Sequence, residues 1–409
     1  MTALNLTTFD AALKVHYTND MIKRMTYQDH PLFALLPKYE SFGGKNLPIP
    51  IIYGNPQGRS SLFAKAKANM TPGKYKDFVI TRAKDYGLCS IDGETIDASK
   101  GDKNAFLDAM TSEIDGTFES LTRSLATSAY RSGSGSIGQI GSTSVITTAV
   151  CVLSNPEDVV NFEVGQTIVA STADGGGSVK TASVENALTV LKVDRISGTV
   201  TFSAAMDSFG SNDWAVADYL FVQGDYDIKV KGLDAWLPAV TPTAGDNFFS
   251  VDRSVDTRLG GLRKDVSNLP IEEALIDGLS LVSREGGKIS HAFMPYSWYA
   301  NLEKALGSKV QYVDVNTQVG VGFRGIQLNN PKGKPVIVLA DQDCIANTCF
   351  MLQMDVWKLY SLGAAPKLLN QDGNRVLRQS DEDGVEIRTG YYAQLGCRAP
   401  GFNIRLKLA

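Results

Sequence analysis

The sequence predicts an α+β chain built from several modules, and three observations carry that reading. Residues 38–76 form a proline-edged, strongly basic stretch. Residues 102–131 hold one long amphipathic helical pattern. Residues 145–224 are dense in Val, Thr, Ile and Ser, whereas the chain beyond them mixes helical and strand patterns. A length of 409 residues suits roughly two to three domains, and 43% hydrophobic against 21% charged residues is enough apolar material for a sizeable core.

Residues 1–37 read as an N-terminal arm. Leu13, Ile22 and Met25 give Phe9 to Met25 a loose helical period, and the pattern stops at His30-Pro31, because a proline disfavours helix in the residue before it. In 38–76, Leu47, Ile49 and Ile51 alternate with Pro48 and Pro50. Proline donates no ladder hydrogen bond and therefore belongs on a strand edge. Lys38, Lys45, Arg59, Lys65, Lys67, Lys74 and Lys76 oppose Glu40 alone, so the stretch is net +6. It reads as a two-stranded excursion with a mobile tip. An isolated hairpin is marginal in water, so its apolar face and its charge need cover from the same chain or another.

In the helical stretch, Leu107, Met110, Ile114, Phe118, Leu121 and Leu125 recur at intervals of three and four. Asp102 is placed to cap it and Gly133 to follow it. Residues 132–144 are rich in Gly and Ser, as in a linker. Within 140–224, nine acidic and three basic residues leave net -6, and VLKVDRISGTVTFSAAM reads as two strands joined at Ser197-Gly198. The piece has the pattern of a small all-β domain inserted after the helix. Further on, Leu269 to Glu285 and Pro295 to Leu306 read as helices. Ser290–Met294, Pro335–Ala340, Cys349–Met354, Val385–Leu395 and Phe402–Leu408 read as strands.

No motif points to catalysis. Gly133, Gly135 and Gly138, and again Gly320, Gly322 and Gly325, match GxGxxG, but neither lies between a strand and a helix as a dinucleotide site requires. His16, His30 and His291 lack metal-ligand spacing, and no GxSxG or GxxxxGK[ST] occurs. Cys89, Cys151, Cys344, Cys349 and Cys397 form no CxxC pair and read as reduced, mostly buried thiols. No cofactor and no metal is expected. The N-terminus carries no secretion signal and no run reaches membrane-span length, so the expectation is a protein made in the cytoplasm. The overall charge of -4 argues against a dedicated nucleic-acid binder. Two acidic clusters, Asp92/Glu94/Asp97 and Asp381/Glu382/Asp383, read first as solvated turns and second as acceptors for the basic arm of another copy.

The order of parts, with the runs ISHAFMPYSWYANLEKAL, GKPVIVLADQDCIANTCFMLQMDVWKLYSLG and EIRTGYYAQLGCRAPGFNIRL, resembles the major capsid proteins of tailed bacteriophages, the Hong Kong 97 type. The resemblance covers the chain outside 140–224. It implies an N-terminal arm at 1–37 and an E-loop at 38–84. It implies a peripheral domain at 85–139 with the spine helix 102–131, and places the inserted β domain at 140–224. A connection at 225–269, an axial domain at 270–345 and a return to the peripheral domain at 346–409 complete the assignment.

The resemblance further implies a non-enzymatic subunit that self-assembles into hexamers and pentamers of an icosahedral head around double-stranded DNA, without sequence-specific DNA contacts and without a membrane. It leaves room for separate scaffolding, portal and cement or decoration proteins. The site residues it implies are Arg59, Lys65, Lys67, Lys74 and Lys76 of the E-loop, with the two acidic clusters as receivers. One family member cross-links its shell through Lys–Asn bonds, but no asparagine or base here can be matched to that chemistry. The chain reaches its arm at once from Met1, so no maturation cleavage is expected. An encapsulin-like compartment shell, a phage tail protein and a nucleotide-binding enzyme are the competing readings.

Overall fold

The computed structural model describes residues 29–92, 103–181, 185–307, 310–316, 322–330, 332, 335–370, 376–378 and 383–409. The expected helix at 9–25 lies outside them. Two sheets, a separate barrel and one long helix account for the architecture.

The long helix runs Lys103–Tyr130, about 42 Å at 1.5 Å per residue. Ile114, Phe118, Leu121 and Leu125 are buried along one face, and the last turns are buried all round, Thr127 and Ser128 included. The change follows from position: around Thr117 and Leu121 the helix lies on one sheet at Gly87, whereas Tyr130 in its last turn meets Phe350 of a second sheet and Thr127 reaches Asn161 of the barrel. The expected cap at Asp102 lies outside the described residues, as do the side chains of Leu107 and Met110.

The sheet beneath the helix is organised by one strand, Gly384–Cys397. Ala83–Asp92 pairs antiparallel along it from Ala83↔Ala393 to Asp92↔Gly384. Trp357–Ser361 pairs on its other side and carries Lys38–Tyr39 parallel on its outer edge. Gly87 lets the helix approach: a Cβ there would sit 2.6 Å from Leu121 Cδ1 and 2.7 Å from Thr117 Cγ2. The buried ammonium of Lys229 ties these parts together, reaching Asp85 at 2.5 Å, Asp225 at 2.9 Å and Ser124 Oγ at 2.9 Å.

The second sheet has seven strands in the order 262–265, 404–407, 348–352, 291–294, 336–340, 322–328, 312–316. Thr348–Leu352 is buried at every position and pairs antiparallel with both neighbours. The last strand, Ile404–Lys407, fills the place between it and Leu262–Asp265. The helix Ile271–Glu285 buries Ala274, Leu275, Leu279 and Val282 against this sheet. It ends on Gly286 at φ +100, where only glycine is unstrained and where the Gly286 N–H reaches back to the Ser283 carbonyl.

Residues 136–222 form a barrel with its own core. Its strands follow the order 136–139, 219–222, 167–171, 187–194, 199–202, 150–152, antiparallel at every pairing. The two ends of this path meet at the Ile140–Leu153 bridge, where Gly141 N–H donates to the Val152 carbonyl and Ser154 N–H to the Gln139 carbonyl, each at 2.8 Å. Closure removes both sheet edges. Side chains fill the interior, among them Phe162, Ile168, Val190, Phe202, Met206, Trp214 and Leu220. One expectation is corrected here: residues 132–144 are not simply a linker, since Ser136–Gln139 is a strand. Pairing with Tyr219–Phe221 and burial of alternate positions override the flexible composition.

Candidate assembly surface

The basic excursion is a hairpin of Asn46–Gly54 and Lys74–Thr81. Pro48 and Pro50 sit on its exposed face, whereas Ile49, Ile51, Phe78 and Ile80 are buried in the largest core of the same chain. Phe78 meets Trp236 edge-on at 5.0 Å between ring centres. Val79 N–H, on the outer side of the ladder, donates to the Phe249 carbonyl at 3.0 Å. The base of the hairpin is therefore fixed to its own chain, and its apolar face is covered there.

Beyond Ile51 the cover ends. Ile52 and Tyr75 are 60% and 64% exposed, and the tip, residues 55–73, contains a short helix, Phe63–Ala68, rather than only extended chain. That is the second correction, and its cause is local: alternating Ala and Lys in FAKAKA favour helix, and no proline falls within them. The helix buries none of its residues; Phe63 is 85% exposed, Met70 67% and Leu62 65%. Arg59, Lys65, Lys67 and Lys74 are exposed and, among the described residues, have no ion-pair partner. Lys76 differs, lying 5.7 Å from the centre of the Tyr53 ring. Sequence reading singled out the lysines and missed Leu62, Phe63 and Met70. The signal available was three large apolar residues within nine positions of a stretch otherwise rich in Lys, Ala and Ser.

Of the acidic residues, Glu94, Asp97, Asp381 and Glu382 lie outside the described residues. Asp92 is the partner of Gly384, so the chain leaving at Asp92 and the chain arriving through Asp383 share one end of the ladder. The distance in sequence, about 290 residues, hid this convergence from a linear reading.

The remaining chemistry-bearing residues are the cysteines, which are buried, and His291, which is half-buried. All five cysteines are free and buried. Burial pushes the Cys151 thiol up to about 12 and lowers His291 to about 4. Gly133 and Gly135 take positive φ between the long helix and a barrel strand, and Gly322 and Gly325 lie within one strand, so neither glycine match has the helix a phosphate site needs. Among the described residues no group of three or more His, Cys, Asp or Glu could hold a metal, and no helix is long and apolar enough to cross a membrane.

No family model matches the sequence, and no curated protein matches it significantly. Solved structures do match. A chain of the capsid asymmetric unit of cyanophage A-1(L) aligns at TM-score 0.53 with 14% identity, covering 93% of this chain and 92% of that one. A virus-like particle from Pyrococcus furiosus aligns at TM-score 0.39 and 9% identity, covering 94% and 95%, and is too loose a match to carry argument. The same holds for Mycobacterium phage Ogopogo at TM-score 0.41 and 9% identity, covering 93% and 92%. The cyanophage match establishes the fold: this chain has the Hong Kong 97-like capsid fold.

Proposed function

We propose that this chain is the major capsid protein of a tailed bacteriophage, whose copies form hexamers and pentamers and close an icosahedral head around double-stranded DNA. The observation that carries the reading is the hairpin. Its base is fastened in its own core while its tip holds Phe63, Leu62 and Met70 in solvent near Arg59, Lys65, Lys67 and Lys74, which have no ion-pair partner among the described residues. A monomer gains nothing from that arrangement, whereas a copy covered by its neighbour's tip does.

In this reading 38–84 is the E-loop and the helix at 103–130 is the spine of the peripheral domain (85–139 with 346–409). The axial domain at 270–345 carries the helices Ile271–Glu285 and Tyr296–Leu306 and four strands of the seven-stranded sheet, which is completed by 262–265 and by 348–352 and 404–407 of the returning chain, and the barrel is an insertion on the shell. The tip lies on an adjacent copy, with Arg59, Lys65, Lys67 and Lys74 toward the acidic end of the ladder at Asp92 and Asp383. Magnitudes divide the labour. Each exposed ion pair is worth about 0–1 kcal/mol. Covering one Phe or Leu is worth about 1.5–3 kcal/mol. The apolar residues supply the larger share of affinity, and the lysines supply orientation and association rate. Assembly takes place in the host cytoplasm, with DNA held without sequence readout, and with scaffolding, portal and cement proteins as separate chains.

Negative-stain microscopy of the expressed full chain is the test. Closed particles, or rings of five and six subunits, are the expected result. A chain that stays monomeric at high concentration, by sedimentation and by microscopy, overturns the reading.

A further inference from the structure

A second feature lies away from the hairpin tip, in an open pocket of about 420 Å³ beside the Leu233–Trp236 turn. Three cations line it, Lys231, Arg253 and Arg405, together with one carboxylate, Asp234. Two are already engaged. Arg253, whose side chain is 7% exposed, holds Asp246 through Nε at 3.1 Å and Nη2 at 2.9 Å and donates to the Ala235 carbonyl at 2.5 Å. Arg405, 13% exposed, is paired with Asp234.

Lys231 has no such partner among the described residues. Its ammonium lies 5.0 Å from the centre of the Phe249 ring and 5.5 Å from that of Phe248, and Arg253 occupies Phe248 as well, at 4.2 Å. Ring faces attract the charge but accept none of its three N–H donors in the manner of an oxygen. Burial lowers the Lys231 pKa, the charge of Asp227 opposes that, and Arg253 lowers it further. The local field thus disfavours the cation that the pocket contains, which is the condition an incoming anion relieves.

We propose that this pocket is an oxyanion site, in which a phosphate or carboxylate group accepts hydrogen bonds from the Lys231 ammonium with Arg253 and Arg405 as flanking charges. The stem of Lys231 passes over Gly133, where a Cβ would meet Lys231 Cγ at 2.7 Å, so the backbone keeps the side chain directed along this path. The Lys231 N–H is held by Gln394 Oε1 at 2.8 Å and does not depend on the side chain.

The test uses the full chain in its unassembled form, titrated with inorganic phosphate at constant ionic strength against chloride. Saturable broadening of the phosphorus resonance is expected, with affinity reduced about tenfold or more in Lys231→Met and largely kept in Lys231→Arg. Circular dichroism checks that Lys231→Met, which keeps the apolar stem, remains folded. No saturable binding, or binding equal in wild type and Lys231→Met, overturns the proposal.

A second arm separates the two sources of the oxyanion and rests on the shell reading. If a carboxylate of a second copy is the occupant, phosphate inhibits particle formation by the wild type and not by Lys231→Met. If the occupant is free phosphate, particles form equally in both buffers. Absence of particles under every condition counts against the shell reading alone, because the phosphate titration is made on unassembled chain.

Discussion

His30 Nδ1 lies 2.5 Å from Asp343 Oδ2, across 313 positions of sequence, and both side chains are almost wholly buried. The pair belongs to a network that joins the short helical turn Pro31–Leu35 to the rest of the chain. Thr127 Oγ1 donates to Asp343, Tyr130 Oη to Asp341 at 2.8 Å, and Leu32 N–H to Asp341 at 3.2 Å. Around it Leu32, Phe33, Leu36 and Phe42 are each at most 2% exposed.

This network makes stability depend on pH with a definite sign. Burial lowers the His30 pKa, but the bond to Asp343 and the charges of Asp343, Asp341 and Asp29 outweigh it and raise the value above 6.5. That contribution is present below 6.5 and is lost as pH rises through the folded value. Burial, followed by the charge of Asp343, pushes Asp341 up to about 7 from 3.8. The folded chain therefore binds more protons than the unfolded chain across that window, and stability again falls as pH rises. The melting temperature should decline between about pH 6 and pH 8, and Asp341→Asn should flatten the decline. A wild-type curve that is level or rising over that range refutes the assignment.

The hairpin gives a second, separable prediction. Phe78→Ala empties a site packed against Trp236 and should cost about 3–5 kcal/mol in chemical denaturation. Phe63→Ser, at 85% exposure, should leave denaturation within about 0.5 kcal/mol of wild type and yet impair association. Equal effects of both substitutions on stability would mean that the tip packs on its own chain.

The sequence made some of this legible and hid the rest for physical reasons. Ile114, Phe118, Leu121 and Leu125 announced the long helix because each occupies the buried face of a regular period. Val336–Ala340 and Thr348–Leu352 were legible as short apolar runs. Pairing was not. Nothing local in Ile404–Lys407 says that it fills the gap between Leu262–Asp265 and Thr348–Leu352, because a strand's neighbours are chosen by tertiary packing. The same applies to the site. The exposed lysines of the tip were visible by composition, whereas the meeting of Asp92 with Gly384 is a matter of register alone.

Reversing the tip charge should act on assembly without acting on the fold. Lys65, Lys67 and Lys74 are exposed and, among the described residues, lack ion-pair partners, so the triple change to Glu removes no intrachain bond seen here. Its circular dichroism and melting temperature should match wild type. Sedimentation should show fewer particles, and the deficit should shrink as salt rises, because screening over about 10 Å at 0.1 M weakens the new repulsion. Normal particle yield at low salt would leave the charge of the tip without a role in assembly.

The barrel should fold by itself. The chain enters at Ser136 and leaves at Val222, and Ser136 is the register partner of Phe221, so excision leaves two adjacent ends and no threaded connection. Polar ties join it to the long helix, Thr127 to Asn161 at 3.3 Å and Arg123 to Glu163, and to the residue just after that helix, Arg131 to Asp158 at 2.5 Å. Its own core holds Trp214, Phe162, Met206 and Val190 at 0% exposure. At roughly 90 residues such a core suffices for cooperative folding. A fragment spanning 134–224 should melt in one transition and show blue-shifted emission from Trp214, the one tryptophan it contains. The remaining chain, with Gly135 joined to Gln223, should keep the melting behaviour of its two sheets. A fragment with solvent-exposed Trp214 emission and no transition would mean that contacts with the long helix complete the barrel's core.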